Sequence, residues 1–299
     1  MVTELFCALD DFFLRFGRSL SSRILADDLL LRGSSSGIHL SEVATILALY
    51  PLSHSSCFKH FYLEQVQVKM RAEFPCQVSY SRFVELIPVV TPFLFAFLLE
   101  RGASHRSGIS VVDATKLEVC RPLRAGRHKV FADAAAWGKT GQGFFFGFKL
   151  HLVVNHQGEI VSFALTPGNV DDRNRRVLAR LLGGLRGYLL GDKGYLDRKL
   201  SEELSQQGLR LLTPLRQNMK PDGRSEEDVA LLKKRGVVES VLNVLKSVLR
   251  IAHTRHRSPS NFASHLLAGL VAYEFYPNKP KIPLADASAT GAKILPMAA

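Results

Sequence analysis

Cysteine is scarce and scattered in this chain. Cys7, Cys57, Cys76 and Cys120 are the four in 299 residues, and no two form a C-x-x-C pair. That spacing argues against a disulfide framework or a zinc site and leaves reduced core thiols as the expectation. Long hydrophobic runs are lacking too. A membrane span needs roughly 18 apolar residues, and the richest stretch, Pro88 to Leu99, is shorter and contains Pro92. The N-terminal MVTELFCALDDFF carries early acids and no basic lead, so no signal peptide is expected and the cytoplasm is the expected location. Among the ten histidines there is no metal-ligand spacing such as H-E-x-x-H. His253 and His256 fall in a basic loop, whose charge they are expected to join.

Acid is the last shortage. The chain holds 39 Lys and Arg against 27 Asp and Glu, a net charge of +12. Residues 1–105 hold 9 against 10, which leaves 30 against 17, a charge of +13, for residues 106–299. A basic surface on one part of a chain attracts nucleic acid or anionic membrane. With no basic amphipathic helix at the N-terminus and no lipidation signal, nucleic acid is the expected partner and a membrane is not. At 46% hydrophobic and 22% charged the composition is globular, and the length suits one large or two ordinary domains.

Residues 1–103 read as a helical domain, with helices over Leu5–Phe16, Ser41–Leu49, Ser56–Phe74 and Ser79–Leu99, the last broken near Pro88 and Pro92. GSSSG at 33–37 reads as a loop, and Ser41 with Glu42 as a helix start. The segment Leu40–Lys69 could be a helix-turn-helix. DNA-end binding and dimerisation remain equal alternatives for this part.

From residue 104 the pattern changes to strands. Ile109–Asp113, FFFGFKLHLVVN (144–155) and IVSFALTP (160–167) suggest an antiparallel meander with a turn at Gly158 and Glu159. Helix Val170–Leu182, strand YLLGD from Tyr188, helix Leu196–Gln207, strand LRLLTPL from Leu209 and a long helix follow. Right-handed crossovers then give an α/β fold, a ribonuclease H-like mixed sheet of order 3-2-1-4-5. Asp113 and Asp192 each close an apolar strand, side by side at the topological switch point where such sheets open a crevice. Pro259–Tyr276 reads as a final apolar helix of the same domain (104–276), and 277–299 as a disordered tail.

The long helix is expected from about 226 to 251. At about 3.6 residues per turn, Val238, Val241, Leu242, Leu245, Val248 and Leu249 line one face. Arg235, Glu239, Asn243, Lys246 and Arg250 line another, so Glu239 stands alone among bases. If Asp113, Asp192 and Glu239 converge they repel one another, and a hard divalent cation relieves this. Oxygen ligands alone favour Mg²⁺, then Mn²⁺. Two such ions support phosphodiester displacement.

These segments also carry a resemblance. VVDATKLEVC, GFFFGFKLHLVVNHQGEI, TPGNVDDR, GDKGYLDRKL, TPLRQNMK, KKRGVVESVLNVLK and HTRHRSPSNFASHLLAGLVAY are similar in order and spacing to bacterial insertion-sequence transposases of the DDE superfamily, nearest to the insertion-sequence 982 family. The resemblance implies catalytic and metal-binding roles for Asp113, Asp192 and Glu239, and cut or copy chemistry on an element's terminal inverted repeats. It also implies Mg²⁺, double-stranded DNA and target DNA as partners, and a homodimer. Related transposases carry tyrosine, arginine, glutamate and lysine around the last acid. Arg235, Glu239 and Lys246 match, but Leu232 stands where the tyrosine would be.

Lys246 and Arg250 are expected to touch phosphates, with Arg235, Asn243, Lys193 and Lys149 as further DNA contacts. His151, sharing a face with Lys149, either lines the site or packs. Asp171 and Asp172 suit a helix cap, with catalysis the alternative, and Asp133 suits the surface. Trp137, Gly138, Gly141 and Gly143 form a loop that either holds a flipped base or is a plain connection. A nuclease or resolvase without strand transfer, and a DNA-binding protein derived from a transposase, are the competing functions.

Overall fold

A computed structural model describes residues 1–21, 37–141, 143–216, 218–219, 223–252 and 256–282. Most of the GSSSG loop, His253 and the tail from residue 283 lie outside them. The described residues form two compact units, one within Met1–Leu98 and Leu245–Pro277 and one within Leu99–Val244 and 278–282.

The helical unit begins with α1 (Val2–Ser21), whose Leu5, Leu9, Phe12 and Phe13 recur at helical spacing and are buried. Then come α2 (Leu40–Leu52), the short α3 (Phe58–His60), which runs on as a wider π-wound stretch over Phe61–Lys69, and α4 (Tyr80–Ser104). His39, not Ser41, caps α2; its N–H donates to Glu42 Oε2 at 2.7 Å, and the Ser41 hydroxyl donates to Asp10 instead.

Helix α4 runs unbroken through Pro88 and Pro92. Tertiary packing overrides the two prolines: Phe93 stacks on Phe13 at 4.6 Å between ring centroids, and Phe97 meets Phe12 edge-on at 5.5 Å. At 25 residues and a mean hydropathy of 1.9 over its richest window, α4 is long and apolar enough by composition to cross a membrane, contrary to the sequence expectation. Of its apolar residues, Val90, Phe93, Leu94 and Phe97 are buried inside the protein, while Phe95 and Leu99 are exposed. Nor are the cysteines core thiols. Cys7, Cys57 and Cys76 are exposed, and Cys120 is half-buried.

In the other unit, β1 (Ile109–Cys120), β2 (Ala136–Thr140), β3 (Gly143–Asn155) and β4 (Ile160–Pro167) are antiparallel. After α5 (Arg175–Leu182) comes β5 (Gly187–Leu190), parallel to β1; after α6 (Arg198–Gln206) comes β6 (Leu209–Leu212), parallel to β5. The path is β2-β3-β1-β5-β6, and β4 shares the outer edge of β3 with β2. Strand β2 corrects the expectation of a loop at Trp137 and Gly138. Its residues pair with Gly143–Gly147, leaving a tight hairpin.

The expected helix 226–251 is not one regular α-helix. It consists of α7 (Glu226–Lys233), a 3-10 turn at Lys234–Gly236, α8 (Val237–Asn243) and a π-wound segment at Val244–Val248. Gly236 offers no side chain to hold the α-helical turn. Arg250 at φ 55° and a bond from Ile251 N–H to the Leu245 carbonyl close the C-terminal end. Ser225 caps α7, and the buried Asp228 pairs with Arg210 of β6 at 2.5 Å.

The last helix, α9 (Pro259–Glu274), belongs to the helical unit, so the expected division at residues 103 and 276 is not the one observed. Its residues are apolar nearly all round and are buried against α2. The chain then returns to the sheet unit, where Ile282 N–H donates to the His156 carbonyl at 2.7 Å.

Gly158, in the β3–β4 turn, meets two requirements at once. Its φ is +74°, and a Cβ there would overlap the Pro280 carbonyl. Gly158→Ala is expected to lower stability by about 1–3 kcal/mol in urea denaturation. An unchanged midpoint would mean that the returning segment does not pack on this turn.

Candidate active site

Asp113 is the fifth residue of β1, which continues to Cys120, so it does not end its strand as expected. What ends nearby is the parallel pairing, whose last pair is Val111 with Leu190. Two residues beyond this pair on each chain stand Asp113 and Asp192, level if the register is carried forward. Strand β1 continues because β3 still pairs with it, Asp113 opposite Leu152. Strand β5 stops, and the chain turns at Asp192.

That turn is tightly made. Asp192 Oδ1 accepts the Gly194 N–H at 2.6 Å, and its carbonyl accepts the Tyr195 N–H at 3.1 Å. Gly191 N–H still donates to the Leu212 carbonyl at 3.0 Å, which fixes the approach to the turn from the β6 side. Glu239 lies in the first turn of α8, which packs against β1 and β3. Its carboxylate is exposed, with Arg235 Nη1 at 3.6 Å.

Burial pushes the Asp113 carboxyl up to about 6, and the charges of Asp192, Glu239 and Asp172 push in the same direction. The hydrogen bond from Ala114 N–H at 2.8 Å opposes them. Acids 79 and 126 residues further along the chain thus act on one carboxyl. They stand within electrostatic range but not coordination range: among the described residues, no three His, Cys, Asp or Glu form a group that could hold an ion. The donor chemistry, oxygen alone with charge to neutralise, fits a hard cation.

The chain belongs to the DDE transposase-domain family. The family described as "Transposase DDE domain" matches residues 103–259, just over half of the sequence. No curated protein sequence matches this chain. A piggyBac transposase, solved as a synaptic complex with hairpin DNA, aligns with a TM-score of 0.47 at 12% identity, covering 91% of this chain and 70% of that one.

Several residues around Asp113, Asp192 and Glu239 differ from the sequence reading. Lys149, expected as a DNA contact, is engaged within the protein: its Nζ donates to the Val170 carbonyl and to Asp172 Oδ1, both at 2.9 Å, and holds the β4–α5 loop. His151 is fully buried, with Nε2 2.8 Å from Thr166 Oγ1, and burial lowers its pKa, so it is neutral and packed at pH 7. Alternation along β3 puts both on the face of Ala114 and Lys116, opposite Asp113.

Asn174, not Asp171 or Asp172, caps α5, accepting the N–H groups of Arg176 and Val177. Asp171 instead accepts from Arg173, which lowers its pKa. Lys193, Asn243 and Arg250 are exposed, while Arg235, Leu232 and Lys246 are half-buried. Lys246 and Arg250 belong to the helical unit and the three acids to the sheet unit. Asp133 is exposed.

Sequence reasoning missed Tyr195, whose buried hydroxyl has no hydrogen-bond partner among the described residues, and the electrostatic effect of Asp172 on Asp113. GDKGY contained the tyrosine, but nothing in the letters shows where its oxygen lies.

The Asp113 shift has a sign that can be measured. Ionising this carboxyl is harder in the folded protein than at its ordinary value of 3.8, so the metal-free fold loses stability as pH rises from about 4 to about 6 and no more above that. Asp113→Asn removes the cost. Its stability gain over the parent should grow across that window and level off at no more than about 3 kcal/mol. A gain independent of pH would show that Asp113 is not under this strain.

Proposed function

We propose that the chain is a DNA transposase that cleaves phosphodiester bonds at the terminal inverted repeats of an insertion sequence and joins the freed ends to target DNA. Asp113, Asp192 and Glu239 are its catalytic acids. The observation that carries this is the raised pKa of Asp113 under the charges of Asp192 and Glu239. Three acids from distant parts of the chain, acting on one partly buried carboxyl, are a costly arrangement that a hard cation repays.

Asp113, Asp192 and Glu239 would hold Mg²⁺, or Mn²⁺ in its place, as two ions. When bound, these supply an activated water or 3′-hydroxyl and stabilise the leaving oxygen. The chain's own work is positional. Strand β1, paired on to Cys120, keeps Asp113 fixed; the Gly194 N–H orients one oxygen of Asp192 and leaves the other for a ligand. Arg235 beside Glu239 restrains the third acid until DNA and metal are present. The strong positive balance after residue 105 suits double-stranded DNA.

In this reading Lys246, Arg250, Asn243, Lys193 and Arg235 contact phosphates, and the protein works as a homodimer in the cytoplasm, associated with the nucleoid. The helical unit serves end binding or dimerisation. Membership of the insertion-sequence 982 family rests on the order and spacing of the sequence blocks.

Asp113→Asn, Asp192→Asn and Glu239→Gln are each expected to abolish Mg²⁺-dependent cleavage of terminal-repeat DNA while leaving binding to it intact. Cleavage retained in any one would remove that residue from the site. Supplying precleaved ends separates the readings: strand transfer marks a transposase, and its absence alongside cleavage marks a nuclease or resolvase. Binding without either reaction marks a DNA-binding derivative. Lys246→Ala should weaken DNA binding and lower the slope of log affinity against log salt by about one unit; an unchanged slope would take Lys246 off the phosphates.

A further inference from the structure

The β2–β3 hairpin turns a face of aromatic rings and bases outward. Trp137, the only tryptophan of the chain, is 48% exposed, and Phe144 is 67% exposed. Both stand on one face of the hairpin. Trp137 pairs with Phe146 and meets its ring edge-on at 5.7 Å between centroids, while Lys139 pairs with Phe144 and holds its Nζ 5.5 Å from the centre of that ring. The other face is packed: Phe145 is fully buried, and its ring and the Gly168 carbonyl leave no room for a side chain at Gly138. Packing behind them thus holds the two rings out in solvent, where they forgo the stabilisation that burial gives, and exposed apolar surface of this kind marks a place of contact.

The segment before the hairpin supplies charge. Residues 121–144 hold five bases, Arg121, Arg124, Arg127, Lys129 and Lys139, against the one acid Asp133, and all five are exposed. His128, 6.5 Å from the Phe146 ring, and Phe131, edge-on to Phe148 at 5.7 Å, seat this segment on the face that carries Trp137. Alternation along β3 puts Phe144, Phe146, Phe148, Leu150 and Leu152 on one face, and Leu152 pairs with Asp113. The rings therefore share the face of Asp113. At about 3.3 Å per residue, the β3 partner of Trp137 lies about 20 Å from that of Asp113.

Rings beside bases on an open surface suit an unpaired nucleic-acid strand, whose bases stack on the rings while its phosphates meet the cations. Duplex DNA hides its base faces and would leave the rings unused. A second copy of this chain fits worse. Strand β2 is a five-residue edge strand with an outward lysine, which discourages edge pairing, and like charge would meet like charge. We propose that the β2–β3 hairpin with residues 121–130 is a platform for single-stranded DNA, with Trp137 and Phe144 stacking on unpaired bases and Lys139 and the arginines before it holding phosphates. That the strand is DNA rests on the proposed function; that it is unpaired rests on the rings. A strand opened beside Asp113 reaches the platform along one face of the sheet.

With a single tryptophan, fluorescence reports on this face directly. The full-length protein, without divalent metal, is titrated with oligothymidylate and with a blunt duplex of the same length while Trp137 emission is followed. Oligothymidylate should quench it and the duplex should not. Phe144→Ala, which keeps the reporter and removes an exposed ring, should weaken oligothymidylate binding about tenfold and duplex binding far less. Lys139→Gln should lower the salt slope for oligothymidylate by about 0.7. Trp137→Ala, followed by the anisotropy of a labelled strand, should lose as much as Phe144→Ala; if it does not fold, Phe144→Ala carries the test. The platform is overturned if oligothymidylate does not bind, if the duplex quenches equally, or if binding neither quenches Trp137 nor weakens in Phe144→Ala. It is also overturned if Trp137 emission changes with protein concentration alone and the mass doubles in ultracentrifugation, which gives the face to a second copy. Cleavage of terminal-repeat DNA is measured alongside: retained without stacking, it overturns this proposal alone; absent with stacking intact, it overturns the transposase reading alone.

Discussion

Repulsion between like charges around a partly buried carboxyl is the constraint on which the rest of the sheet unit turns. Asp113 sits where burial already disfavours its ionised form, and Asp192, Glu239 and Asp172 add to the strain. A fold selected for stability alone would disperse these acids or pair each with a base. Here one acid is paired with Lys149 and one lies near Arg235, while among the described residues Asp113 accepts the backbone N–H of Ala114. A bound cation would relieve that strain, as the proposed function requires, and residues 103–259 match the transposase DDE-domain family.

The sheet produces that concentration of charge by ending one strand earlier than its neighbour. Strands β1 and β5 run in parallel for three paired residues; β5 then stops while β1 continues against β3. Carrying the register forward puts the turn at Asp192 level with Asp113, and α8, which carries Glu239, packs on β1 and β3. Asp228, buried and held by Arg210, ties the start of this helical stretch to β6. The position of Glu239 therefore depends on strand pairing as much as on helix propensity.

Much of this was legible in the residues. Alternating and apolar runs marked the strands β1, β3, β4, β5 and β6, and the blocks around Asp113, Asp192 and Glu239 carried the resemblance to DDE transposases. The misses share a cause. Pro88 and Pro92 suggested a broken helix, yet the aromatic packing of Phe93 and Phe97 keeps α4 continuous. Lys149 looked like a phosphate ligand, yet its ammonium is used internally. Trp137 looked like part of a loop, yet β3 supplies it with a partner strand. In each case a local preference of at most a few kcal/mol yielded to contacts made by residues far away in the chain.

The sequence by itself determined which residues could do the chemistry, because carboxylates, their order and the periodicities around them are written in the chain. Only tertiary structure decided what surrounds them: that Asp172 acts on Asp113, that the Tyr195 hydroxyl is buried without a partner among the described residues, that α9 packs on α2. Burial and electrostatic coupling are functions of distance through space. Residues 113, 172, 192, 195 and 239 acquire those distances only when β1, β5 and α8 are paired and packed.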